Sequence, residues 1–245
     1  MLRKARTLKG FHLGAIDGEI GKIKDFYFDD TSWKVRYMVA DTGKWLPHRK
    51  VLISPHAFGS IDDKERLVHV QLTREQVENS PTIDADKPVS RQMEEDYLRY
   101  FGWPFYWLDP LMWGAPAAAG PVETADAEAR EGDPHLRSVE EVIGYHIQAR
   151  DGEIGHVEDF LVDEDDWTIH EMIVETRNWL PGKRVLVSPL LIKSVNWAES
   201  TVRVALTREA LKTELPEYNP ENYPEDSSQE SIMHAYSAGR NFPLP

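Results

Sequence analysis

Two long stretches of this chain carry one sequence pattern twice. Gly10-Phe-His-Leu-Gly-Ala-Ile-Asp-Gly-Glu-Ile-Gly21 aligns with Gly144-Tyr-His-Ile-Gln-Ala-Arg-Asp-Gly-Glu-Ile-Gly155, and the register runs without a gap to Thr73-Arg74-Glu75 over Thr207-Arg208-Glu209. Roughly 29 of 66 aligned positions are identical, far above chance for unrelated segments. A duplicated segment has to satisfy one set of physical requirements twice. The 245 residues therefore read as two small domains of one design and not as a single large core.

The shared residues say what each copy requires. Asp17-Gly18 and Asp151-Gly152 stand between apolar, β-prone segments, a strong hairpin signal because glycine accepts a positive φ at little cost. Each copy opens with a hairpin on this reading. Ile23, Phe26 and Phe28, then Val35, Tyr37 and Val39, recur mostly at alternate positions, the period of strands with one buried face. The second copy follows with Val157, Phe160 and Val162, then Ile169, Glu171 and Ile173. Glu171 breaks the pattern, and the cost of burying a carboxylate places it near a strand edge or rim.

Trp45-Leu46-Pro47 and Val51-Leu52-Ile53-Ser54-Pro55 return as Trp179-Leu180-Pro181 and Val185-Leu186-Val187-Ser188-Pro189. Proline cannot donate to a strand ladder, so each short strand ends there. A last strand near Leu67 to Leu72, or Thr201 to Leu206, runs into Thr73 or Thr207, which can cap a short helix. Six or so short strands in about 70 residues would leave long unpaired edges in an open sheet. The expected fold is mainly β: two tandem small β-barrels related by internal duplication, with short helices and an aromatic-rich linker.

The ordered features Gly10, Asp17-Gly18-Glu19-Ile20-Gly21, Asp25-Phe26, Trp33, Val35-Arg36-Tyr37, Leu52-Ile53-Ser54-Pro55 and Leu72-Thr73-Arg74-Glu75 resemble the PRC-barrel family. That domain is shared by the cytoplasmic part of the photosynthetic reaction centre H subunit and the C-terminal part of RimM-type ribosome maturation factors. The resemblance covers Leu8 to about Pro81 and Val142 to about Pro216. It implies a small barrel that acts by protein contact and not by catalysis. The membrane helix of an H subunit and the preceding barrel of a RimM-like factor are both lacking from this sequence, so the chain reads as a free-standing tandem form.

Domain organisation follows as residues 1–81 and 142–216 for the barrels, 82–141 for a helical and aromatic linker, and 217–245 for an extended tail. In the linker, Ser90 to Phe101 reads as a short helix stopped by Gly102. Next comes Trp103-Pro-Phe-Tyr-Trp107-Leu-Asp-Pro-Leu-Met-Trp113, which requires apolar cover. Either it packs on its own barrels as a clamp, or it is a contact surface for a partner chain or second subunit. Trp45, Trp103, Phe105, Tyr106, Trp107, Trp113 and Trp179 are the partner-contact candidates. Residues 115–133 have the composition of a flexible linker, and Tyr236 and Phe242 are apolar docking points in the tail.

Other chemistry finds little footing. There is no cysteine, which excludes disulfides, zinc-thiolate sites and thiol nucleophiles. The repeated Asp17, Glu19, Asp25 and Asp29, with Asp151, Glu153, Asp159 and Asp163, lack the spacing of a calcium loop and read as turn chemistry and solvated faces. His12 and His146 stand outside any metal-ligand spacing and read as structural or surface residues. Ser54 and Ser188 read as strand ends without a nucleophile elbow. No phosphate-binding glycine loop occurs, so no catalytic, cofactor or metal residue is assigned.

A net charge of −14 opposes nucleic acid and anionic lipid, and the basic start Arg3, Lys4, Arg6 and Lys9 reads as a solvated terminus. With no apolar run of membrane-span length or signal peptide, the expected setting is cytoplasmic. The function expected is a non-catalytic protein-binding or self-associating scaffold. An accessory role at a photosynthetic or electron-transfer membrane complex, or an enzyme with a site between the barrels, is the alternative.

Overall fold

The computed structural model describes residues 1–47, 49–81, 89–107, 136–176 and 183–219. The chain is mainly β. The first repeat contributes β1 (Leu2–Lys4), α1 (Ala5–Leu8), β2 (His12–Ala15), β3 (Gly18–Asp29), β4 (Lys34–Asp41), β5 (Lys50–Ile53), β6 (Phe58–Asp62), β7 (Leu67–Val70), α2 (Arg74–Glu78) and, past it, α3 (Arg91–Phe101). The second contributes β8 (Leu136–Ser138), α4 (Val139–Val142), β9 (His146–Ala149), β10 (Gly152–Asp163), β11 (Ile169–Glu175), β12 (Arg184–Val187), β13 (Ile192–Asn196), β14 (Thr201–Val204) and α5 (Arg208–Glu214).

Each repeat builds six strands of one seven-stranded sheet. The first runs β5-β4-β3-β2-β7-β6 with β8 on β3, and the second β12-β11-β10-β9-β14-β13 with β1 on β10. The expected hairpins are present, β2 with β3 and β9 with β10, and in each repeat the strand that opens the hairpin also pairs in parallel with the last strand. The connections dictate curvature. Edge strands β5 and β6 are joined only by Ser54 and the 3₁₀ turn Pro55–Ala57. Six strands laid flat would hold those edges about 24 Å apart, at about 4.8 Å per strand. Five Cα steps reach at most about 18 Å. The sheet must therefore coil on itself, as the barrel expectation requires, and β12 and β13 stand under the same constraint through Pro189–Leu191.

Leu13, Ile20, Ile23, Phe28, Met38, Ile53 and Val68 form the first core, at most 2% exposed, and Ile147, Ile154, Val157, Phe160, Met172, Val187 and Val202 the second, all 0% exposed. The carboxylates of the hairpin turns do as expected, whereas Asp159 and Asp163, 5% and 3% exposed, do not lie on a solvated face. Asp17 Oδ1 accepts from Arg74 N and Asp151 Oδ1 from Arg208 N, both at 2.7 Å, so each hairpin turn ties down the first residue of the helix that closes its repeat.

The compact units are not cut where the repeats are cut. One contains Lys9–Ser32 and Arg36–Arg137; the other contains Met1–Leu8, Trp33–Val35 and Ser138 onward. Strand β1 lies antiparallel on β10, Leu2 opposite Asp163 and Lys4 opposite Leu161, while β8 pairs with β3. Each sheet is thus completed by the opening strand of the other repeat. Residues 136–141, assigned to the linker from sequence, carry this strand and the start of α4.

Two further expectations are corrected. The basic start is solvated only at Arg6 and Lys9: Arg3 is 2% exposed, its Nε donates to Glu164 Oε1, and Lys4 lies over the Tyr218 ring. Glu171 is not at a rim. It is 3% exposed, on an interior strand, directly opposite Leu161. Its strand is interior, β11 lying between β10 and β12, and β1 extends the sheet on the far side of β10, so that Lys4, Leu161 and Glu171 fall in one row across three strands. Local alternation carries no trace of that neighbour.

Candidate functional site

In β4 all but Asp41 are buried, because this strand is covered on both faces. On the outer face Tyr37 and Val39 of β4 and Leu52 of β5 form a cluster with Val89, Tyr97, Leu98 and Tyr106. The covering element is α3. Ser90 Oγ accepts from Met93 N at 3.3 Å to start it, and Gly102, with φ 70°, stops it. Glu94, Tyr97 and Leu98 are its buried residues, at the i, i+3, i+4 spacing of one helix face.

At the centre is a buried carboxylate. Glu94, 1% exposed, accepts at Oε1 from the Tyr37 hydroxyl at 2.7 Å and the Tyr106 hydroxyl at 2.8 Å, with Arg91 Nη1 3.2 Å from Oε2. Arg36 Cζ lies 4.0 Å from the Tyr106 ring centroid. The pKa of Tyr37 is driven well above 10, first by burial and then by the Glu94 charge. Tyr97 is likewise raised by burial, and its hydroxyl donates to Leu52 O. These bonds lock α3 to the sheet and anchor the chain that follows it.

Past Gly102, that chain divides its rings between core and solvent. Tyr106 is buried, whereas Trp103, Phe105 and Trp107 are half-buried. Trp103 stacks on Phe101 at 4.5 Å and 14°, and its ring centre is 5.8 Å from that of His56, whose pKa burial lowers. Phe105 stacks on Trp107 at 5.1 Å and 22°. Arg91 Cζ sits 4.1 Å over Trp107 and Arg99 Cζ 5.6 Å over Phe105. The result is a preorganised aromatic face with guanidinium groups on its flank.

Of the sequence candidates, the structure brings Trp103, Phe105, Tyr106 and Trp107 together on this unit. Trp45 is separate: it sits between β4 and β5, half-buried, with Arg74 Cζ 4.6 Å over its ring. Trp113 and Trp179 lie outside the described residues. Sequence reasoning missed Glu94 and Tyr37 as a linked pair. The available signal was a glutamate sharing a helix face with Tyr97 and Leu98. The outer face of the second sheet is built differently, from Leu161, Ile173, Leu186 and Tyr218, with residues 216–218 alongside β12 through Leu186 N to Pro216 O at 3.0 Å and Tyr218 N to Arg184 O at 2.8 Å.

The sheet that carries the aromatic face is the one whose sequence matches a family model. Residues 4–77 match the family model of the PRC-barrel domain. Residues 4–77 thus carry a PRC-barrel domain. The second repeat reproduces the sheet order of the PRC-barrel repeat strand for strand. The chain is also similar to an uncharacterized protein of Deinococcus radiodurans, 29% identical over 80 residues, which cover 33% of this chain and 28% of that protein. The similarity thus spans under a third of the relative. The aromatic segment 103–107 lies beyond the residues matched to the PRC-barrel family. Among the described residues no helix is long and apolar enough to cross a membrane.

Proposed function

We propose that this chain is a non-catalytic scaffold that binds a protein partner or a second copy of itself through the aromatic face of Trp103, Phe105 and Trp107. The observation that carries the reading is the division of labour in segment 103–107. Tyr106 is buried and bonded to Glu94, while its three aromatic neighbours are held half-open around it. Stacked indoles and phenyls with arginine at the flank have the composition of interface hot spots. Fixing the rings on a helix-braced sheet lowers the ordering cost of association. A net charge of −14 turns the choice of partner away from nucleic acid and toward protein. The cytoplasmic setting expected from the sequence belongs to this same reading.

The test is the triple variant Trp103→Ala/Phe105→Ala/Trp107→Ala, with Tyr97 and Tyr106 untouched. Light scattering gives the mass of the assembly, circular dichroism the sheet content, and native-cell co-purification the partner set. Loss of self-association, or of a defined stoichiometric partner, with unchanged dichroism supports the proposal. A variant that keeps both the assembly mass and the partner set sinks it.

A further inference from the structure

The turn between β10 and β11 brings Asp163, Asp166 and His170 together. One ligand atom from each lies within 4.8 Å of the others, the one group of this kind among the described residues. His170 Nε2 is 3.8 Å from Asp163 Oδ2. Asp163 is 3% exposed, His170 half-buried and Asp166 at the surface, so the cluster opens to solvent on one side.

The other repeat shows what this place is built to hold. Its equivalent residues are Asp29, Ser32 and Arg36, and there the guanidinium fills the gap: Arg36 Nη2 donates to Asp29 Oδ2 at 3.4 Å and to Ser32 Oγ at 3.0 Å. The second repeat keeps the aspartate, exchanges the serine for Asp166 and the arginine for His170, and so removes the built-in cation while adding a carboxylate. Two of the chain's own cations lie beside the carboxylates. Lys34 Nζ lies 3.6 Å from Asp166 Oδ2, and the Met1 ammonium is 2.9 Å from Asp163 Oδ1, the oxygen other than the one nearest His170.

We infer that Asp163, Asp166 and His170 bind a divalent first-row transition ion, with Zn²⁺ as the type. Two carboxylates and an imidazole are the donors such ions take, at about 2.0–2.2 Å. Around an ion at about 2.1 Å, neighbouring donors sit about 3 to 4 Å apart, so the 3.8 Å between His170 and Asp163 needs little adjustment. Asp166 Oδ1 accepts from Thr168 N at 2.9 Å and Oδ2 from Thr168 Oγ1 at 2.7 Å, so the ion has to compete with the Thr168 hydroxyl for Oδ2. Three protein ligands leave a position for water or for a donor from a partner. Ca²⁺, which takes oxygen ligands and needs more of them, is the wrong ion for this site.

The experiment uses the full untagged chain. Zn²⁺ uptake is counted by native mass spectrometry and followed by melting temperature. With nine histidines in the chain, adventitious sites are subtracted with Asp166→Ser/His170→Arg, which restores the first repeat's own pair and so preserves the fold. The expected result is one Zn²⁺ equivalent fewer in this variant, and a Zn²⁺-dependent rise in melting temperature that the variant lacks and Ca²⁺ does not reproduce. A second variant, His170→Ala, should weaken that equivalent at least tenfold. Equal uptake and equal melting response in the wild type and Asp166→Ser/His170→Arg, or no uptake by the wild type, overturns the inference.

Discussion

Arg137 Nε donates to Asp30 Oδ2 at 3.0 Å, and its counterpart in the repeat, Arg3, donates in the same way to Glu164, the counterpart of Asp30. Carrying the register back to the N-terminus sets Leu2-Arg3 over Leu136-Arg137, so the exchanged strands are themselves part of the duplication. Side-chain exposure is 2% for Arg3 and 18% for Glu164, against 22% and 12% for Arg137 and Asp30. Breaking the more buried pair leaves a carboxylate without its cation. Arg3→Ala should cost about 3 kcal/mol and Arg137→Ala about 1 kcal/mol. Urea unfolding checks the order, and hydrogen exchange should show the added loss at Leu161 to Asp163 for Arg3→Ala. Equal costs would mean that the pair does not hold β1 in place.

Burial between α3 and the sheet acts on two tyrosines. Tyr37 and Tyr97 are raised above 10 by burial, so neither phenolate should form while the fold persists. Absorbance near 295 nm, followed to about pH 11, should reveal fewer than the nine tyrosines of the chain, with the missing signal returning in denaturant. Tyr37→Phe deletes one donor to a buried carboxylate and should cost about 1–2 kcal/mol. Tyr106→Phe should behave similarly, and the double variant should depart from the sum because both hydroxyls serve one oxygen.

The hairpins, the alternating strands and the helix capped by Ser90 were legible because their causes are local. Asp-Gly marks a turn wherever it stands, and alternation marks a half-buried strand. The exchange of β1 and β8 was not, because three residues rich in charge carry no periodic signal and their partner strand is more than a hundred residues away. For segment 103–107, hydropathy demanded cover but could not say that Tyr106 takes the buried place. That choice goes with the hydroxyl, which donates to Glu94 Oε1 at 2.8 Å.

Asp159 tests the second sheet by pH. Burial pushes its pKa up from 3.8 to about 6, against the opposing bonds from Phe160 N at 2.8 Å and Arg6 N at 3.2 Å. A carboxyl whose folded pKa lies above its unfolded one costs stability when both states are ionised. The cost at pH 7 is about 3 kcal/mol, and it is relieved as pH falls through 6 toward 4. Asp159→Asn removes the dependence. The urea midpoint of the wild type should gain on that of Asp159→Asn between pH 7.5 and 5. A constant difference across that window would contradict the assignment.

Gly21 and Gly155 separate close approach from mere backbone freedom. A β-carbon on Gly21 would lie 2.1 Å from Asp41 O and 2.9 Å from Thr42 Cα; on Gly155 it would lie 1.9 Å from Glu175 O. The obstacles are backbone and cannot rotate away. They are also held: Thr42 Oγ1 donates to Leu46 O at 2.8 Å and Arg49 O at 3.0 Å, and Thr176 Oγ1 to Lys183 O at 2.9 Å. With φ at 141° for Gly21, strain adds to the clash, and Gly21→Ala should cost about 4 kcal/mol. Gly43 shares the positive φ, at 58°, but nothing lies within 4 Å of its added carbon, so Gly43→Ala should cost only about 1 kcal/mol. Urea unfolding of the two variants should show that gap. Similar costs would mean that β3 and the end of β4 approach less closely than these distances require.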